Sequence, residues 1–379
     1  MSAQTGGRLA GRLPDFPWDT LAPYARTAGD HPDGIVDLSV GTPVDPTPEV
    51  VQEALRAAAD APGYPLTYGT PPLRAAVAGW FARRRGVPDV DPAGVLPSIG
   101  SKELVAWLPT LLGLGPGDVV VHPETAYPTY DVGARLAGAT PVATDGLTAL
   151  GPQPVRLVWV NSPSNPTGRV LPAAHLRKVV DWARERGAVV AADECYAELG
   201  WDDGAPPVSL LHPEVCGGDH RGLLVLYSLS KQSSMAGYRA AFAAGDPELV
   251  RELLEVRKHA GMMVPAPVQG AMVAALGDDA HVAGQKARYA VRRQQLLTAL
   301  TGGGFRVDHS EAGLYLWASR DEDCWATVER LAGLGVLVAP GSFYGPAGAR
   351  HVRVALTATD ERVTAAVARL GGAPGQPPR

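Results

Sequence analysis

Four short runs, apolar but for His122 and Arg156, constrain what this chain can fold into: Val119–His122, Arg156–Val160, Ala188–Ala192 and Leu223–Tyr227, set apart by longer stretches. Short runs with so little polar alternation suit buried strands, as in a parallel sheet covered by helices. Residues 172–186 read as a crossover helix between two of them, closed by Gly187. The chain therefore reads as α/β, with a large domain built on a mostly parallel sheet. Further helices are expected from Thr47-Pro48 through Asp60 and from Thr70-Pro71 through Arg85, each with a cap residue followed by Pro in the first turn. Arg83, Arg84 and Arg85 would close the second with charge that suits the helix dipole. Helices near 247–260 and 281–300 then lead into short strands around Phe305–Val307, Leu314–Trp317, Val336–Val338 and Val352–Val354. The expected division is an N-terminal arm over 1–45, a large domain over 46–275 and a smaller α+β domain over 276–379. The arm would pack on the smaller domain, and the Gly/Pro-rich tail from Gly371 would fray.

Composition narrows the function classes. A chain of 379 residues that is 46% hydrophobic can fill two cores. The net charge of −5, with no basic cluster beyond Arg83–Arg85, argues against nucleic acid as a partner. Cys195, Cys216 and Cys324 are scattered, without the spacing of a metal site or a disulfide framework, which suits a reducing cytoplasm. The N-terminus lacks a signal-peptide core, and no segment approaches a membrane span. Gly113-Leu114-Gly115-Pro116-Gly117 looks like a dinucleotide loop, but it closes a helix and leads into a strand, the reverse of what that motif requires.

Chemistry enters with Lys231. The chain has five lysines against 29 arginines, and Lys231 alone lies in a small-residue loop, Tyr227-Ser228-Leu229-Ser230-Lys231, directly after an apolar strand. A lysine can lose its proton on burial and form an imine with a carbonyl cofactor, which arginine cannot do. A solvated surface lysine is the plain alternative. Its surroundings suit pyridoxal 5′-phosphate. Arg239, eight residues on, could grip a phosphate. Asp193 ends the apolar run 188–192 at the strand edge where open α/β sheets bind ligands, and a carboxylate there would keep a pyridine nitrogen protonated. Tyr196 and Asn165, the latter in the turn Asn161–Gly168, could both reach the ring's phenolic oxygen. Equally, an aspartate at a strand end can cap a helix, and Asn-Pro is a common turn.

A phosphate cradle is expected at Gly100-Ser101-Lys102, where Ser101 reads as the N-cap of the apolar helix that follows and glycine lets an anion approach. An ordinary capped helix would look the same. Tyr127, just past the strand 119–122, could stack on a pyridine face or simply belong to the core. Arg353 sits inside the apolar strand Val352–Val354 and needs an anion, either a substrate α-carboxylate or an internal Asp or Glu.

In this order along nearly the whole chain, these residues resemble the fold-type I, class I/II pyridoxal phosphate-dependent aminotransferases. The resemblance implies that Lys231 is the Schiff-base lysine, with Asn165, Asp193 and Tyr196 on the pyridine ring and Tyr127 stacked on it. Gly100, Ser101, Lys102, Ser228, Ser230 and Arg239 would form the phosphate set. Arg353, Asn165 and the Gly41 backbone would hold the substrate. Tyr64 would reach the phosphate in the partner subunit's site, so a homodimer with shared active sites is implied, and no metal. The stretches Leu13–Leu21, Ser162–Arg169, His259–Pro265 and His309–Trp317 are similar to actinobacterial succinyldiaminopimelate transaminases. Gln232 and Ser234 depart from them, since arginine and asparagine are commoner there.

That likeness implies L-glutamate as amino donor and N-succinyl-2-amino-6-oxopimelate as acceptor, in the diaminopimelate route to lysine, with Lys258–Met263 as a candidate for part of the distal pocket. The same segment also reads as a helix end followed by core methionines. A β-lyase or an aspartate or aromatic aminotransferase are the nearest alternatives, although Gly261-Met262-Met263 stands where aspartate-specific relatives place an arginine. A cofactor-binding transcription regulator would need a DNA-binding domain for which the first 45 residues leave little room. A nicotinamide dehydrogenase is disfavoured by the failed glycine motif.

Overall fold

The computed structural model describes Gly11 and residues 13–371, so the expectations for the first residues and for the tail beyond Gly371 lie outside the described residues. The strands are β1 (Val36–Asp37), β2 (Val95–Ile99), β3 (Val119–His122), β4 (Thr140–Ala143), β5 (Val155–Asn161), β6 (Val189–Asp193), β7 (Leu223–Ser228), β8 (Ala240–Gly245), β9 (Arg306–Asp308), β10 (Tyr315–Ser319), β11 (Val336–Leu337), β12 (Ala339–Pro340) and β13 (His351–Ala355). Seven form one sheet in the order β2-β8-β7-β6-β5-β3-β4. β3 through β7 pair in parallel, and β8 runs antiparallel to both of its neighbours.

The continuous apolar runs are explained by two cores, one on each face. Val158, Val160, Val190, Ala192, Val225 and Tyr227 pack into one with Leu73, Val77, Leu176 and Val180. The alternate residues Leu157, Trp159, Ala191, Leu224 and Leu226 pack into the other with Leu104, Leu108, Tyr130 and Ala134. Side chains alternate along a strand, so a strand buried on both faces has no polar phase.

Among the elements that pattern reading does not give are the strands β2, β4 and β8 and the helix Ala266–Gly277. Pro97 disguises β2, but β2 is an edge strand, where a missing donor is tolerated. β4 begins Thr140-Pro141 at the opposite edge. β8 is Ala-Ala-Phe-Ala-Ala-Gly, poor in intrinsic strand preference yet fully buried. The helix Ala266–Gly277 is so evenly apolar that it lacks a polar face.

The helix expected over Thr47–Asp60 is shorter, Glu49–Ala57, with Pro48 at its N-cap. Thr47 is drawn off, its Oγ1 donating to Ser234 O at 3.0 Å. Thr70 does cap the helix Pro71–Arg85, and Gly86 ends it in the left-handed region. Arg85 is more than a terminal charge: it is buried, with Nη2 donating to Pro207 O at 2.8 Å and lying 3.7 Å from Glu194. The helix Pro247–Ala260 lies within its expected bounds. The next runs over Asp279–Gly302, two residues longer at each end, because Asp278 caps it through Ala280 N.

Toward the C-terminus, β12-β13-β10-β9 form an antiparallel sheet. The single strand expected over Val336–Val338 divides: β11 pairs in parallel with β1 from the N-terminal segment, and β12 pairs with β13. Leu21, Ala28, Val36 and Leu38 share a core with Leu296, Leu316, Val328, Val354 and Val363. Buried Arg292 binds both oxygens of Asp45, at 2.6 and 2.8 Å, and reaches Asp360 at 2.7 Å, fastening the segment after Gly41 to two C-terminal helices. Among the described residues no helix is long and apolar enough to cross a membrane, and no cluster of three metal-ligating side chains occurs.

Candidate active site

The register of the parallel strands aligns Asn161 with Asp193 and Asp193 with Leu226, so the carboxyl ends of β5, β6 and β7 finish at one level. They open on a cavity of about 390 Å³. Of the residues singled out from sequence, Gly41, Ser101, Lys102, Tyr127, Asn165, Asp193, Tyr196, Ser228, Ser230, Lys231, Arg239 and Arg353 line it. Gly100 lies directly beneath the Arg239 guanidinium. Tyr64 stands outside, 96% exposed.

Lys231 follows β7 on the short turn of helix Leu229–Gln232, which Ser228 caps by accepting from Ser230 N. Its Nζ is half-buried and donates to Gly41 O at 2.6 Å. Asp193 is buried; Tyr130 Oη donates to its Oδ2 at 2.9 Å, and Cys195 N to its Oδ1 at 3.2 Å. Burial pushes its carboxyl above the ordinary value, although the Cys195 and Tyr130 bonds and the Lys231 charge oppose it. Burial also keeps the Tyr130 phenol and the Cys195 thiol well above their usual ranges, so both remain protonated beside that carboxylate.

Asn165 is held by its own backbone N–H, which donates to Asn161 Oδ1 at 2.7 Å. Its Oδ1 accepts from Arg353 Nη1 at 2.9 Å, which leaves its amide N–H₂ as the free donor. Arg353 is 2% exposed and has no carboxylate within 4 Å among the described residues. Nη2 donates to Ser39 O at 2.7 Å and Nε is unpaired. The guanidinium instead lies over the Tyr315 ring at 3.9 Å, with Tyr344 at 5.0 Å and Trp18 at 6.0 Å. An internal acidic partner, one of the two sequence alternatives, is not what neutralises it.

The phosphate-type corner needs one correction. Gly100, at φ 76° and ψ 150°, is the N-cap of the helix Ser101–Leu111, and Ser101 is its first helical residue. Only glycine holds that backbone easily, and any Cβ there would overlap the Arg239 guanidinium. Arg239 makes one bond, Nη1 to Ala236 O at 2.8 Å, and keeps its other donors free. Ser228 Oγ donates to Ser230 Oγ at 2.8 Å. Lys102 reaches over the rings of Phe16 (5.4 Å) and Tyr127 (6.0 Å).

The lining therefore carries Lys102, Lys231, Arg239 and Arg353 against the single carboxylate of Asp193. That excess of positive charge suits a polyanionic ligand, and a phosphorylated carbonyl compound together with a carboxylate substrate would satisfy the donor set. The segment Lys258–Met263 does not line this cavity. Gly261 caps the helix end at φ 76°, Lys258 pairs with Glu255, and Arg257 donates to Met262 O.

Pattern reading missed Phe16, Trp18, Tyr130, Cys195 and Tyr315 in the lining. Tyr130 stands three residues after Tyr127, and its neighbour in the lining was the available signal. Nothing in the sequence joins Tyr315 to a lysine so far upstream.

The family model for aminotransferase class I and II matches residues 33–370. A probable aminotransferase of Mycobacterium tuberculosis is 65% identical over 97% of this chain and 88% of its own length. A 4-dedimethylamino-4-oxo-anhydrotetracycline transaminase of Streptomyces rimosus is 62% identical over 94% of this chain and 99% of its own. The solved structure of a probable N-succinyldiaminopimelate aminotransferase from Thermus thermophilus superposes with a TM-score of 0.85 at 30% identity, covering 94% of this chain and 99% of that one. This chain belongs to the class I and II aminotransferases, enzymes that depend on pyridoxal phosphate.

Proposed function

We propose that the enzyme transfers the amino group of L-glutamate to N-succinyl-2-amino-6-oxopimelate, in the cytoplasm, as a homodimer. The observation that carries an amino-acid and oxo-acid exchange is buried Arg353, a guanidinium without an internal carboxylate that faces the same cavity as Lys231. For the finer assignment, the support is the name of a structural relative, the probable N-succinyldiaminopimelate aminotransferase from Thermus thermophilus.

When bound, pyridoxal phosphate supplies an electron sink for charge developing at the substrate Cα. Gly100, Ser101, Lys102, Ser228, Ser230 and Arg239 would hold its phosphate, Asp193 its ring nitrogen, Tyr196 and Asn165 its ring oxygen, and Tyr127 its face. Lys231 would hold the cofactor through its amine, and that amine when free would take the proton from the substrate Cα as a general base. Arg353 and the Gly41 backbone orient the α-carboxylate, so the Cα proton is the one presented to Lys231. Residues 46–275 would form the cofactor-binding domain, and 276–379 with the arm 1–45 the smaller one. Tyr64, whose ring is almost wholly exposed, would serve the partner's phosphate.

One observation favours a second reading. Phe16, Trp18 and Tyr127 give the cavity an aromatic wall, and the Streptomyces relative is named for a fused-ring ketone. The test is steady-state turnover with glutamate and a panel of acceptors: the succinylated aminooxopimelate should far exceed oxaloacetate. A preference for oxaloacetate sinks the assignment, and a preference for a fused-ring ketone selects the second reading.

A further inference from the structure

We infer that Tyr315 is a positioning residue of this site: its hydroxyl donates to Tyr196 and so aims the Tyr196 proton into the cavity, while its ring fixes the plane of the Arg353 guanidinium. The inference rests on the cofactor and substrate roles proposed above for Tyr196 and Arg353.

Tyr315 opens β10 and is buried at the junction of the two proposed functions. Its Oη lies 3.2 Å from Tyr196 Oη, with the rings edge to face at 5.7 Å. The Arg353 guanidinium carbon stands 3.9 Å over its ring. On the remaining side the hydroxyl fills the space where a Cβ on Gly41 would be, and Gly41 O is the acceptor for Lys231. One phenol thus touches the groups that flank Lys231, Tyr196 and Arg353.

The direction of the shared hydrogen follows from counting. Each phenol has one hydrogen, and Tyr196 is the sole hydrogen-bond partner of Tyr315 among the described residues. If Tyr196 donated to Tyr315, the Tyr315 hydrogen would have to turn toward Gly41 and the cations Lys231 and Arg353, where the described residues offer it no acceptor. If Tyr315 donates, its hydrogen is satisfied and the Tyr196 hydrogen turns to the cavity, where a ligand oxygen can take it. The charges agree. Burial alone would raise the Tyr315 phenol, but Arg353, Lys231 and the bond to Tyr196 together outweigh it and hold it below the usual tyrosine value, whereas burial and the adjoining Tyr315 push Tyr196 well above. The more acidic phenol is the better donor.

The test separates hydroxyl from ring. In Tyr315→Phe, the visible-absorbance pKa of the cofactor-loaded enzyme should rise by roughly 0.5 to 1 pH unit, because the donor to the cofactor's ring oxygen loses its orientation. The KM for the amino donor should stay put, since the ring under Arg353 remains. Tyr315→Leu should also raise that KM about tenfold, through loss of a desolvated cation–π contact. Placed in a Tyr196→Phe background, Tyr315→Phe should add no further absorbance shift. A Tyr315→Phe titration that overlays the wild type overturns the inference, as does a full additional shift in the double variant. A wild-type protein that gains no visible band with pyridoxal phosphate would instead overturn the cofactor roles on which the inference stands.

Discussion

Gly100→Ala gives the sharpest check on the phosphate-type corner, because two separable costs meet at one residue. At φ 76° and ψ 150° the backbone lies where only glycine is comfortable, so alanine should destabilise the fold by about 1 to 3 kcal/mol. The second cost falls on Arg239, whose guanidinium occupies the place of the new methyl. That side chain is solvent-accessible and can swing aside, so displacing it strains the fold little but removes its grip on an anion. Charge-assisted hydrogen bonds contribute about 1.5 to 3 kcal/mol, and an accessible arginine belongs in the lower half of that range. Pyridoxal phosphate should therefore bind about 10- to 30-fold more weakly. Urea melts of the cofactor-free protein measure the first cost, and fluorescence titration with the cofactor measures the second. In an Arg239→Ala background Gly100→Ala should retain its stability cost and lose its effect on affinity. An affinity loss of equal size with and without Arg239 would refute the reasoning, since the glycine would then act on the phosphate by itself.

Lys231→Ala should abolish turnover and leave the thermal melt of the cofactor-free protein close to wild type; borohydride trapping and peptide mapping should label Lys231 alone, and label on another lysine would overturn its role. Mixing inactive Lys231→Ala chains with Tyr64→Phe chains under proven subunit exchange should restore some activity if the sites are shared, and no recovery would count against Tyr64 in the partner's site. Asp45→Asn should lower stability by about 3 kcal/mol at pH 7, the low end for a broken buried pair because Arg292 keeps Asp360. Against the burial that opposes it, pairing with Arg292 holds the Asp45 carboxyl below 3.8. The stability it contributes is thus present above that value and lost as pH falls through the depressed pKa, so the gap between variant and wild type should close in acid melts. A gap that stays constant as the pH is lowered would place the effect in packing instead.

The amino-acid order alone specifies the parallel half of the large sheet, because strands buried on both faces must be apolar at nearly every position, as in Val119–Val121 and Leu223–Leu226. It also singles out Lys231, Asp193, Arg239 and Arg353, conspicuous in small or apolar surroundings, and the fold brings these four to one cavity. Tertiary structure alone decided the rest. β8 is a strand because alanines suit a place between two packed cores, and β2 tolerates Pro97 because it lies at an edge. The Lys258–Met263 segment is a helix end away from this chain's cavity, which no local pattern could tell from a pocket wall. Tyr130 and Tyr315 reach the site through contacts with Asp193 and Tyr196 that lie 63 and 119 residues apart in the chain. Local propensity and periodicity reach only a few residues, whereas the polarity of such a site is set by which distant side chains the fold leaves facing one another.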